Sequence, residues 1–466
     1  MLNDTICALA TPHGMGAIAV VRVSGPQAIP IVASLFQRNG KLLEISEIVS
    51  HKAYHGHLIN KGELLDEVLV TFFKAPHSFT GEDSAEISVH GSVYVQQKLL
   101  QVLVENGCRM AEAGEFTRRA FVNRKFDLAQ AEAIADLISS ESEAAHRVAI
   151  NQLKGGFSKE LQVMRSKLLE ITSLMELELD FSEEDVEFAD RSQLKALLEE
   201  TLAHVSRLKD SFRLGNAIKN GVPVAIVGQT NTGKSTLLNA LLGEDRAIVS
   251  DIAGTTRDTI EETLNINGIL FRFIDTAGLR QTEETIEKIG IERSYRKIAE
   301  ATVVIGMLDA TKDAENLLLA AHEILERIDL EHQQLILCIN KVDTLADQGE
   351  ALLGQLRANL DNDEIQVICL SAKHHFGLND LYNTLKHSQP LSYPDATLVT
   401  NVRHYEALTH ANEALLRVQQ GLEMNIPTDL VSQDLREALH YLGTITGEIT
   451  TDEVLGSIFS RFCIGK

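Results

Sequence analysis

The sequence predicts a multidomain protein of α/β and α class. An α+β N-terminal domain precedes a helical domain, and a doubly wound α/β domain is inserted into the helical one. Three observations predict it. Short β-like runs between Gly, Pro, Ser and Thr turns fill residues 1–120. Helix-forming segments with one apolar face occur both before residue 215 and after residue 386. Between them, residues 216–385 alternate apolar strands with helical patterns, as a parallel sheet covered on both faces does. The expected domains are therefore 1–120, a helical part over 121–215, the insertion over 216–385, and a second helical part over 386–466.

In the first domain AIAVVRVSG (17–25), DEVLVTFF (66–73) and AEISVHG (85–91) read as strands. His55 and His57 share one strand face with His51 nearby, but no third ligand has suitable spacing, so these are expected to be surface residues. From Phe121 the texture changes. DLAQAEAIADLI is rich in helix formers, and Leu161, Met164, Leu168, Ile171 and Met175 recur at spacings of three or four. A similar face returns with Leu435, Ala438, Leu439 and Leu442. Between these, MELELDFSEEDVEFAD (175–190) holds eight acids and no base; it reads as a solvated helix end and loop, or as a docking surface for a basic partner.

Composition narrows the function classes. Hydrophobic content of 44% and charged content of 23% over 466 residues are those of a soluble globular protein. No run of 18 apolar residues occurs and MLNDTICALATPHG lacks a signal pattern, so a cytoplasmic protein with no membrane segment is expected. A formal charge of −23 argues against broad, nonspecific nucleic-acid binding, though not against a local basic groove. The five cysteines show no CxxC pair; Cys338 and Cys369 lie in apolar runs and are expected in the core.

The strongest signal is VPVAIVGQTNTGKSTLLNALLG (222–243), an apolar strand, a glycine-rich loop and a helix pattern. Gly228 and Gly233 let backbone N–H groups wrap phosphates, Lys234 reaches the β and γ oxygens, and the Ser235 hydroxyl binds Mg²⁺. FIDTAG places Asp275 at a strand end, followed by Gly278, and GTTRD supplies Thr256 as a second hydroxyl for Mg²⁺. ILCINKVD ends a strand with Asn340, Lys341, Val342 and Asp343. A fixed carboxylate there accepts both N1–H and the 2-amino group of guanine, whereas adenine offers neither donor. CLSAK adds Ser371, Ala372 and Lys373 near the guanine carbonyl. Five elements in this order indicate a GTPase domain that uses GTP and GDP. After Gly278 stands Leu279, which cannot orient water as a glutamine would, so another group must do so.

The order of these motifs is shared with ATPHGMGAIAVVRVSG, APHSFTGEDSAEISVHG, EAGEFTRRAFVNRKFDLAQAEAIADLI, DTAGLRQTEETIEKIGIERS and the terminal FCIGK. Over essentially its full length the chain resembles the bacterial tRNA uridine-modification GTPases of the MnmE (TrmE) family. The resemblance implies a folate-binding, dimer-forming N-terminal domain, with folate contacts at Arg22, Glu86, Lys125 and Lys466. Read on residues alone, Arg22 and Lys125 are surface charges. It implies a tetrahydrofolate derivative (5,10-methylene or 5-formyl form) as one-carbon donor. It also implies a homodimer, joined in a heterotetramer by an FAD-dependent partner resembling MnmG (GidA). Together they would add aminomethyl or carboxymethylaminomethyl groups to C5 of the tRNA wobble uridine, position 34. The family's nucleotide contacts carry over to Asn231, Thr232, Gly233, Lys234, Ser235 and Thr236, to Ser250, Asp251, Ile252, Ala253, Gly254, Thr255 and Thr256, and to Asp275, Thr276, Ala277 and Gly278. A K⁺ ion would be held by Asn231, the carbonyls of Ser250 and Ile252, and Thr255, supplying positive charge when two GTPase domains meet. Glu287 would orient the water.

The tail motif CIGK fits a prenylation box poorly, with glycine and lysine at its last two positions. The resemblance instead makes Cys463 a functional thiol at the folate and tRNA site, its pKa lowered by Arg461 and Lys466. A ribosome-assembly or signalling GTPase switch is the alternative, and a lipid-anchored GTPase a third.

Overall fold

The computed structural model describes residues 4–180, 191–243, 262–266, 268–274, 301–330, 333–347, 349–360, 365–387, 397–424, 426–460, 462, 464 and 465. The chain forms two compact units. One comprises Met1–Ile138, Ile150–Ser206 and Glu406–Lys466, the other Ser139–Ala149 and Arg207–Tyr405.

The first unit opens with eight strands: β1 (Ile6–Leu9), β2 (Ile18–Ser24), β3 (Phe36–Arg38), β4 (Lys41–Leu42), β5 (Lys52–Asn60), β6 (Glu63–Phe73), β7 (Ser84–His90) and β8 (Arg109–Met110). They form one sheet in the order β4-β3-β5-β6-β7-β2-β1-β8, antiparallel except where β1 meets β8. Period-two alternation decides its faces. Val21 and Val23 of β2, Val70 and Phe72 of β6, and Ile87 of β7 point into a core shared with the helices Ala28–Leu35 and Val93–Glu105. The opposite face carries Arg22 and Glu86, directly paired across the ladder. His55 and His57 are exposed on β5, with His55 Nε2 3.0 Å from Glu67.

The spacing of three and four in the first long helix, Gly156–Asp180, buries Leu161, Met164, Leu168, Ile171 and Met175. Helix Thr428–Thr446 packs against it and buries Leu435, Ala438, Leu439 and Leu442. Each such leucine or isoleucine removed from water contributes about 1.5–3 kcal/mol, which is why periodicity rather than propensity fixes this pair. The chain then reaches the N-terminal sheet again: Ile464 bridges Ala113, and a Cβ on Gly465 (φ +96°) would lie 2.1 Å from the Leu9 carbonyl oxygen. Only glycine permits that approach.

The second unit is a six-stranded sheet of β9 (Val222–Gly228), β10 (Glu262–Ile266), β11 (Ile269–Phe273), β12 (Val303–Asp309), β13 (Gln334–Asn340) and β14 (Gln366–Cys369). The order is β10-β11-β9-β12-β13-β14, parallel except for β10 at one edge. Nearly continuous apolar strands such as VVIGMLD and QLILCIN suit a sheet covered on both faces. One core joins Ile226 and Ile305 to Leu237, Leu241, Leu381 and Leu385; the other joins Val304 and Leu337 to Leu317, Ala321, Ile324 and Leu356. This is the doubly wound arrangement expected from residues 216–385. Cys338 is fully buried as expected, but Cys369 is only half-buried because β14 is an edge strand. Among the described residues no helix is long and apolar enough to cross a membrane.

Candidate nucleotide and tail sites

The carboxyl ends of β9, β12 and β13 converge on one edge of the second sheet, where ligands sit in doubly wound folds. β9 runs into Gly228 (φ +144°), and the loop returns through Asn231 (φ +62°) and Gly233 (φ +96°) to helix Lys234–Gly243. Asparagine is among the few residues that accept the left-handed conformation, so Asn231 suits its position. A Cβ on Gly228 would meet the Met307 carbonyl at 2.5 Å, and one on Gly233 would meet Asn340 Nδ2 at 2.2 Å. Lys234 Nζ donates to the carbonyls of Gly228 (2.9 Å) and Gln229 (2.8 Å), and burial pulls its ammonium below the usual lysine pKa. Ser235 and Thr236 stand exposed in the first helical turn, where N–H groups and helix dipole favour anions.

The guanine-type motifs close on this loop. Asn340, only 3% exposed at the end of β13, donates through Nδ2 to the Thr232 carbonyl (2.8 Å) and accepts at Oδ1 from the Ala372 N–H (3.0 Å). One side chain thereby joins the phosphate loop, NKVD and SAK. Lys341 follows in a left-handed conformation, Val342 is buried, and Asp343 lies in the short turn Val342–Thr344. A hydrogen bond from Ser371 leads the causes holding the Asp343 carboxyl below its usual pKa, with His374 and Lys373 adding attraction through space. His374 Nε2 stands 3.7 Å from Asp343 Oδ2. An ionised, partly exposed carboxylate can take two N–H donors of a base.

In the first unit Arg22 donates from Nε (3.0 Å) and lies with Nη2 2.9 Å from the same oxygen, Oε1 of Glu86. Its guanidinium sits 4.8 Å from the centroid of Phe79 and 5.7 Å from that of Phe116. Phe79 in turn lies 5.9 Å from Phe126, next to Lys125, whose Nζ donates to the Pro76 carbonyl at 3.0 Å. Three of the four expected folate residues thus fall in one neighbourhood, joined by an aromatic ring that carries no motif of its own. Ser250, Asp251, Ile252, Ala253, Gly254, Thr255, Thr256, Asp275, Thr276, Ala277, Gly278, Glu287, Arg461, Cys463 and Lys466 lie outside the described residues.

Residues 128–463 match the family model described as MnmE helical domain, and residues 5–125 match that described as GTP-binding protein TrmE N-terminus. A relative from Bacteroides fragilis, named tRNA modification GTPase MnmE, is 54% identical over 471 residues, covering 100% of both chains. Relatives of the same name from Bacteroides thetaiotaomicron and Flavobacterium johnsoniae are 53% and 50% identical, again over 100% of both chains. The chain belongs to the MnmE family.

As an MnmE-family protein it is a GTP-hydrolysing enzyme that binds GTP and GDP, with the P-loop GTPase fold its second sheet displays. Two residues of this MnmE-family chain escaped sequence reading. Phe79 is recognised only once Arg22 stacks on it, and Asp309, a single acid at a strand end, only through the bond it accepts from Lys341 Nζ at 2.7 Å.

Proposed function

We propose that this GTPase works in tRNA modification, adding aminomethyl or carboxymethylaminomethyl groups to C5 of the wobble uridine. It does so as a homodimer with an FAD-dependent partner and a tetrahydrofolate derivative as one-carbon source. The observation that carries the GTPase half is Asn340, whose amide holds the phosphate loop and both guanine motifs in one place. The modification half is supported by the full-length relatives named as tRNA modification GTPases.

In this reading Asp343 accepts the guanine N1–H and 2-amino donors, and Ala372 and Lys373 lie by its carbonyl. Lys234 leaves the Gly228 and Gln229 carbonyls for the β and γ oxygens. Ser235 with Thr256 would hold Mg²⁺, and the oxygens of Asn231, Ser250, Ile252 and Thr255 would suit K⁺, a hard cation. When bound, these cations would neutralise the negative charge of phosphoryl transfer. Glu287 orients the attacking water. At the folate site the Glu86 carboxylate, held by Arg22, suits a pterin's N–H donors, Lys125 and Lys466 suit glutamyl carboxylates, and Cys463 serves as a functional thiol.

The test is reconstitution of the protein with the flavoprotein partner, GTP, K⁺, the folate derivative and an unmodified tRNA. Mass spectrometry should find the C5 substituent at position 34. Its absence with active partner and hydrolysed GTP contradicts the modification reading.

A further inference from the structure

Asp309 ends β12 and Asn340 ends β13, and the parallel register pairs the two directly. The Ala310 N–H donates to the Asn340 carbonyl at 2.9 Å, so the loop after β12 is fastened to the residue preceding Lys341. The Asp309 carboxylate is immobilised by its own loop: Oδ1 accepts from the Thr311 N–H at 3.0 Å and the Thr311 hydroxyl at 2.8 Å. The other oxygen, Oδ2, receives Lys341 Nζ at 2.7 Å, with Asp309 11% and Lys341 34% exposed. Burial pushes the Asp309 carboxyl upward, but the bonds from Lys341 and Thr311 outweigh it and hold it below its usual pKa.

Lys341 has φ +67°, a left-handed conformation that non-glycine residues adopt at a cost. Lys341 stands between Asn340 and Asp343 in the chain, and its Nζ meets Asp309. Asp343, read as the guanine acceptor, follows two residues later in the turn Val342–Thr344. An unanchored lysine chain samples many rotamers and loses that freedom when a ligand packs on it; a chain already anchored loses less.

We propose that Asp309 is a positioning residue for guanine nucleotides, holding the Lys341 stem in the orientation against which the base packs. Asp309 thereby sets nucleotide affinity without touching the nucleotide. This rests on the reading of Asp343 as the guanine acceptor.

Affinities for fluorescent GDP and GTP analogues, steady-state hydrolysis and thermal melts test it in the full chain. Asp309→Asn keeps the shape and an acceptor for Thr311 but removes the charge. It should weaken both nucleotides about five- to tenfold and raise KM with kcat unchanged, while Asp309→Glu recovers part of the loss. Asp309→Asn combined with Lys341→Met should bind no more weakly than Lys341→Met alone. Affinity within twofold of wild type, tighter binding, additive losses in the double variant, or a loss matched by a lower melting temperature overturns the proposal. Asp343→Asn is the control for the underlying reading. If it too binds GTP normally, the guanine site itself is misplaced; if it fails while Asp309→Asn binds normally, only the role of Asp309 falls.

Discussion

The Asn340 amide donates to the Thr232 carbonyl at 2.8 Å, across 108 positions of sequence, and so ties the guanine strand to the phosphate loop. Its oxygen simultaneously receives the Ala372 N–H. Removing it leaves a buried carbonyl and a buried N–H without partners, each worth about 1–3 kcal/mol. Asn340→Ala should therefore lower the stability of the GTPase unit by about 2–4 kcal/mol and weaken GDP and GTP together. Denaturant unfolding with and without GDP checks this; an unchanged midpoint contradicts it.

Arg119, 1% exposed, donates from Nη2 to Asp4 Oδ1 and Glu115 Oε1 and from Nη1 to Glu82, while Arg109 donates to Oδ2 of Asp4 and to both carboxylate oxygens of Glu115. The hydrogen bond from Arg109 leads the causes that lower the Asp4 pKa. For Glu115, burial raises it but the Arg109, Glu112 and Arg119 bonds win, so it too ends below its ordinary value of 4.5. Both acids are depressed in the fold, so their stabilisation is complete above the unfolded values and drains as pH falls through the folded ones. The first unit should lose stability below about pH 4.5. Arg119→Met should cost about 3–5 kcal/mol at pH 7 and less at pH 4, because the stranded carboxylates then protonate. Equal losses at both pH values contradict the network's role.

Gly465→Ala brings a methyl group toward the Leu9 carbonyl at a site with φ +96°. The tail should leave its place beside β1, so tRNA modification falls at least tenfold while GTP hydrolysis holds, roughly the cost of one misplaced functional group. Cys463→Ser should give the same separation more completely. Parallel loss of both activities in folded protein argues against a tail site apart from the nucleotide.

Hydrolysis should run much faster in K⁺ than in Na⁺, and Asn231→Ala should erase the difference. Glu287→Ala should slow turnover without weakening GTP binding. Equal rates of concentrated wild-type protein in the two salts contradict the cation mechanism.

Sequence alone disclosed whatever local pattern determines. The phosphate loop announces itself because phosphate wrapping demands glycine at Gly228 and Gly233, and the helix pair because Leu161 to Met175 and Leu435 to Leu442 keep helical spacing. Pairings set by strand register stayed hidden. Arg22 and Glu86 were expected to share a ligand, but their direct bond depends on how β2 meets β7. Asp309 meets Lys341 only because β12 and β13 end together, and Cys369 escapes full burial only because its strand is an edge.

The most direct measurement is the nucleoside profile of wobble position 34 in tRNA from cells lacking this protein and from cells complemented with it. The expected result is loss of the C5-aminomethyl and carboxymethylaminomethyl uridines, restored by the wild-type chain but not by Cys463→Ser or Lys234→Ala. Unchanged wobble uridines in the deletion strain would contradict the assignment to tRNA modification.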